Sequence, residues 1–219
     1  MSQVIRHVTA IAATIAVVVS LLSFTGGKVL AQGQSETEGP GVWQRAILIQ
    51  NSSSSPATTV TITFYRADGT VALEFTPTDL PIPAGESREY YIPSIDTLSP
   101  GQFNVIATSD VQLTASVNTT SVNNDSAPWT SFAYEGIEAA QTATTLYYPG
   151  LYKNYFGFNS EMVLQNAGDT TATVSAKFYN ASGTEVANVD LGSIAANGAQ
   201  TFPTQSISQL PSGNTEGLF

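Results

Sequence analysis

The chain has no cysteine, and its single histidine is His7. Only seven of its 219 residues are Lys or Arg, against 17 Asp and Glu, for a formal net charge of −10. Without cysteine there is no disulfide, no thiol nucleophile and no thiolate metal site. A scarce histidine removes the usual general base and the commonest zinc ligand. Seven scattered cations and a large acidic excess disfavour nucleic acid, whose binding needs clustered Lys and Arg, and anionic lipid for the same reason. No G-x-S-x-G elbow occurs, and no carboxylate run has the spacing of a calcium loop. No metal, no cofactor and no enzymatic chemistry are therefore expected.

The first 31 residues read as an export signal. Arg6 and His7 form a short basic start, and Val8 to Phe24 carries no charge. Gly26-Gly27 follows, and Val29-Leu30-Ala31 places small residues where a signal peptidase cuts. The apolar run is short for a membrane span. Cleavage after Ala31 is expected, with no membrane insertion afterwards. It removes His7, Arg6 and Lys28, leaving a net charge of 5 − 17 = −12. The expected address is outside the cytoplasm: extracellular, at the cell surface, or periplasmic.

What remains repeats itself. Ile47-Leu48-Ile49-Gln50-Asn51 corresponds to Met162-Val163-Leu164-Gln165-Asn166, and Thr59 to Thr70 corresponds to Thr173 to Thr184. Ile95, Leu98 and Gly101 return as Ile207, Leu210 and Gly213. The spacing drifts only from 115 residues (162 − 47) to 112 (207 − 95), as short loop deletions would produce. Apolar residues alternate with polar ones, which is the period of a strand with one face in a core. The predicted core is Val60, Ile62, Phe64, Val111, Leu113, Val117, Val174 and Phe178. Asp68-Gly69 and Ser182-Gly183 supply hairpin turns.

An apolar strand ending in Gln-Asn, a polar turn, a Thr/Val strand ending in Phe-Tyr and a Gly-Thr hairpin together resemble a known group. They resemble the immunoglobulin-like repeats of bacterial exported proteins, which include adhesion-type modules and modules related to cell-surface transport. The resemblance implies an all-β fold of two tandem Ig-like antiparallel β-sandwich domains. It implies no catalytic or binding residues, since such folds host unrelated functions. The expected division is a signal over 1–31, a disordered segment over 32–39, repeat 1 over 40–127, a connector over 128–142 and repeat 2 over 143–219. After Gly213 only six residues follow, where repeat 1 continues from Phe103 to Val117 as a closing hairpin. The second repeat is thus expected to lack its last strands. A fragment is the plain explanation. The functional one is an open edge filled by a neighbour's strand, with Val42 to Gln50 as donor, building a filament.

The candidate contact residues are aromatic. Tyr147, Tyr148, Tyr152, Tyr155, Phe156 and Phe158 lie within twelve positions, and Trp129 precedes them. Such rings either stack on a glycan or protein partner or fill an inter-domain junction, and burial at a junction is the commoner use. Glu86, Glu89, Glu161 and Asp190 read as a solvated acidic surface rather than a glycosidase pair. Sequons at Asn51, Asn118, Asn124 and Asn180 are matches that a Ser/Thr/Asn-rich chain produces by chance. The function expected is a structural or adhesion module acting through surface contacts with surface proteins, glycans or copies of itself.

Overall fold

Alternating side chains favour extended backbone, and the chain is built accordingly. The computed structural model describes residues 8–11, 15–16, 28–31, 42–99, 101–122 and 131–219. Trp129 and the segment 32–39 lie outside these, as does most of the leader. Among the described residues there is no α-helix, only three short 3-10 turns, and none is long and apolar enough to cross a membrane.

Among the described residues sixteen strands follow in chain order. They are β1 (Val8–Ile11), β2 (Ile15–Ala16), β3 (Lys28–Ala31), β4 (Val42–Asn51), β5 (Val60–Tyr65), β6 (Val71–Phe75), β7 (Ser87–Tyr91) and β8 (Asn104–Ser109). They continue as β9 (Leu113–Val122), β10 (Ser131–Glu135), β11 (Ile137–Glu138), β12 (Thr145–Leu146), β13 (Glu161–Asn166), β14 (Ala172–Tyr179), β15 (Glu185–Ile194) and β16 (Ala199–Pro203). They form antiparallel sheets in two compact units, one over 18–141 and one over 1–17 with 142–219.

The unit over 18–141 has sheets ordered β11-β3-β8-β5-β6 and β10-β9-β4-β7. Both contribute to one buried cluster, with Ile47, Ile49, Leu113 and Val117 from one and Val60, Ile62, Phe64 and Val105 from the other. Val111 packs partly buried against this cluster from the turn before β9. Residues 131–138, read from the sequence as connector, are β10 and β11 of this unit. Val42–Asn51 is an interior strand, paired with β7 on one side and β9 on the other.

The other unit repeats this plan. Its sheets run β12-β1-β14-β15 and β16-β13-β2 around Met162, Leu164, Val174, Ala176, Phe178 and their neighbours. The β14–β15 hairpin reproduces β5–β6, with Gly183 at φ 82° where Gly69 has φ 81°. Phe219 packs edge-on against Phe178 at 6.0 Å, as Phe103 does against Phe64 at 6.1 Å. The places of β8 and β9 are taken by β1 and β2. Val174 pairs with Ala10 as Val60 pairs with Ser109, and Asn166 pairs with Ile15 as Asn51 pairs with Leu113.

Candidate functional site

Asn51 and Asn166, fully buried at the same place in each repeat, explain why the strand ends in Gln-Asn. Each amide pins its turn to a distant segment. Asn51 Nδ2 donates to the carbonyls of Ser55 at 2.7 Å and Ile82 at 2.9 Å, while its Oδ1 accepts from Ser53 N at 3.0 Å. Asn166 Nδ2 donates to Thr170 O at 2.7 Å and Ile194 O at 3.0 Å, and its Oδ1 accepts from Gly168 N at 3.0 Å. These are structural groups, and their burial withdraws Asn51 from any surface role.

The aromatic segment divides by environment. Tyr148 is largely buried and donates to Val163 O at 3.1 Å, and burial pushes its phenol well above the ordinary range. Tyr152 and Tyr155 are half-buried and stacked, with centroids 5.6 Å apart and planes at 13°. Tyr147, Phe156 and Phe158 are exposed at 48%, 64% and 68%.

The backbone presents the last two deliberately. Tyr155 N donates to Phe158 O at 3.0 Å and Phe158 N to Tyr155 O at 2.9 Å, closing a two-residue turn. Its central residues, Phe156 and Gly157, have φ of 49° and 83°, the double positive φ of a tight hairpin. Glycine meets that demand freely. Phenylalanine does not, and a bulky residue in the left-handed region is strained.

The loop is tied down on several sides. Phe156 N donates to Asn214 Oδ1 at 2.7 Å, and Asn154 N to Asn159 Oδ1 at 2.8 Å. Lys153 Nζ donates to Ile207 O at 2.7 Å and Leu210 O at 2.9 Å, and Thr204 Oγ1 donates to Tyr152 O while accepting from Ser160 N. Lys153 N and Leu151 N donate to Gly217 O and Phe219 O at 2.7 and 2.9 Å. Two apolar rings thus stand in solvent on a rigid mount. Sequence reading named the rings but missed the mount, whose parts lie some 50 residues away at Thr204 to Phe219 (204 − 152 = 52).

The acidic candidates are separated. Glu86 pairs with Arg88 at 3.1 Å, and Asp190 Oδ1 accepts from Gly192 N at 2.9 Å to shape a bulge in β15. Among the described residues no three His, Cys, Asp or Glu gather closely enough to hold a metal. A recess of about 440 Å³ lies between β15 and the end of β16, lined by Leu191, Phe202, Ile207 and Asp190.

What these features define is a β-rich protein of repeated antiparallel sheets with an exposed aromatic hairpin. Residues 32–215 match the model of a family of unknown function, DUF5719, and the chain belongs to that family. No curated protein matches it. The chain is similar at 15% identity to the crystal structure of Thermotoga maritima 1070, with a TM-score of 0.42 over 53% of this chain and 97% of that one.

Proposed function

We propose that this chain is an exported, non-enzymatic module of Ig-like β-sandwich units that works by surface adhesion, with the hairpin Tyr155–Phe158 as its contact. The observation that carries the contact is Phe156. A strained φ of 49° is retained at a tip where it keeps an apolar ring 64% exposed, and strain of that kind concentrates at functional positions. Phe158 and the stacked Tyr152–Tyr155 pair extend the aromatic face, suited to a sugar ring or a flat apolar protein surface. Export is supported by the apolar leader and by a family match that begins at residue 32, directly after Ala31.

The filament reading gains little from Val42 to Gln50, which pairs with β9 along its length and with β7 from Ala46 to Gln50. Retention on insoluble polysaccharides and on envelope proteins tests the contact. Phe158→Ser is expected to weaken retention about tenfold with an unchanged melting temperature, the loss of one stacking ring at roughly 1 kcal/mol or a little more. Retention equal to the parent's would remove the aromatic tip from the function.

A further inference from the structure

The aromatic hairpin carries two side-chain amides whose direction its own backbone fixes. Asn159 Oδ1 accepts from Asn154 N at 2.8 Å, and Asn214 Oδ1 accepts from Phe156 N at 2.7 Å. A backbone N–H can only donate, so the atom facing it in each case is the amide oxygen. The Nδ2 of each is thereby left for another partner. Both asparagines are exposed, and among the described residues neither Nδ2 meets an acceptor. Asn159 follows Phe158 in the chain and Asn214 is bonded to Phe156, so both donors adjoin the exposed rings. We propose that this face, Phe156 and Phe158 with the Nδ2 groups of Asn159 and Asn214, binds a neutral glycan chain. The inference deepens the adhesion reading given above and rests on it.

The mixture of rings and donors favours a sugar over a flat apolar protein surface. A sugar ring offers an apolar C–H face and a rim of hydroxyls. Aromatic rings suit the face, and the amide donors suit the rim, whose hydroxyl oxygens accept. A few polar groups at fixed positions beside apolar walls are what orient a small ligand. A flat apolar protein surface would instead cover both Nδ2 groups without acceptors, and a buried donor left unpaired costs more than a typical hydrogen bond contributes. The aromatic surface also extends beyond one ring. Tyr155 meets Phe156 edge-on at 4.9 Å and stacks on Tyr152 at 5.6 Å. Rings held in fixed relation suit successive units of a chain.

Charge makes the ligand a neutral one. Residues 142–219 hold two lysines, Lys153 and Lys177, against five acids, Glu161, Asp169, Glu185, Asp190 and Glu216. Both lysines are engaged. Lys153 Nζ donates to the carbonyls of Ile207 and Leu210, and Lys177 pairs with Glu185 at 3.2 Å. Glu216 is exposed two residues after Asn214, where its carboxylate opposes a uronate, sulfate or phosphate.

The test measures retention of the full chain on microcrystalline cellulose, chitin and starch granules. Alginate gel serves as the anionic control, and immobilised envelope protein as the alternative partner. Retention on at least one neutral glycan is expected, equal at about 0.15 M and about 1 M salt, since no charge pair forms. Asn→Asp keeps the oxygen that holds the backbone and removes the donor. The Asn159→Asp, Asn214→Asp double variant is expected to lose about tenfold in glycan retention at an unchanged melting temperature. In the parent, the Nδ2 proton resonances of both residues are expected to shift on titration with soluble oligosaccharide of the retained glycan. Resonances that stay in place, a double variant that binds as the parent does, or a preference for alginate overturns the inference. Retention on envelope protein alone also overturns it, and leaves the adhesion reading standing. Retention on none of these surfaces overturns the adhesion reading, and this inference with it.

Discussion

At the scale of single residues, Asn166 and Asn51 tie a turn to a distant segment through buried amides, to the end of β15 at Ile194 and to the bridge residue Ile82. Replacing either with Ala leaves buried carbonyls without donors, a loss of about 2–3 kcal/mol in urea unfolding. Asn→Asp is expected to be no better, since a carboxylate cannot donate to Ile82 O or Ile194 O. Asp110 illustrates the exposed case. The Thr58 hydroxyl first, then the Thr59 and Thr58 amides, hold its carboxyl well below the usual carboxylate range. The folded state thus favours the ionised form, so its contribution is full at neutral pH and drains away as pH falls below about 4. Asp110→Asn is expected to cost about 1 kcal/mol or less at pH 7, given solvent screening, and less than that at pH 2. Urea midpoints at the two pH values check this.

The aromatic hairpin is where a local rule is broken. Phe156 occupies a conformation that glycine adopts freely, and it is held there by Asn214 and by the paired Tyr155 and Phe158 backbones. Phe156→Gly is expected to relieve the strain and raise stability by about 1 kcal/mol while reducing partner retention. Calorimetry alongside a retention assay separates the two effects. A fall in both would show that the ring packs for stability rather than for contact. The neighbouring ties predict a second behaviour. Lys153→Met removes donors to Ile207 O and Leu210 O, and the loss is expected at about 1–3 kcal/mol by thermal unfolding.

Over the whole molecule, charge decides what can approach. A net of −10, with Arg88 occupied by Asp79 and Glu86 and Lys177 by Glu185, leaves few cations for phosphate. Co-sedimentation with DNA and with anionic vesicles at about 0.15 M salt is expected to show no binding. The repeated plan also explains why the chain distributes its strands as it does. Two edges of like sequence, β4–β5 and β13–β14, carry strands of like register, β8 and β9 on one and β1 and β2 on the other.

Much of this was legible in the chain itself. Side-chain alternation specifies strands because the pleat turns successive residues to opposite faces, and Val60, Ile62, Phe64, Val174 and Phe178 are buried on that account. Gly69 and Gly183 mark hairpins because their φ excludes most other residues. The aromatic cluster was visible as composition, yet its division into buried Tyr148 and exposed Phe156 and Phe158 was not. That division depends on carbonyls and amides from Thr204 to Phe219, which sequence spacing does not bring near. The leader is the sharpest instance. Read as a string it is an apolar address, because periodicity reports how a segment packs on itself and not which edge it meets. Only the tertiary structure sets β1 against β14 and β2 against β13, since strand pairing is satisfied by backbone groups that every sequence carries alike.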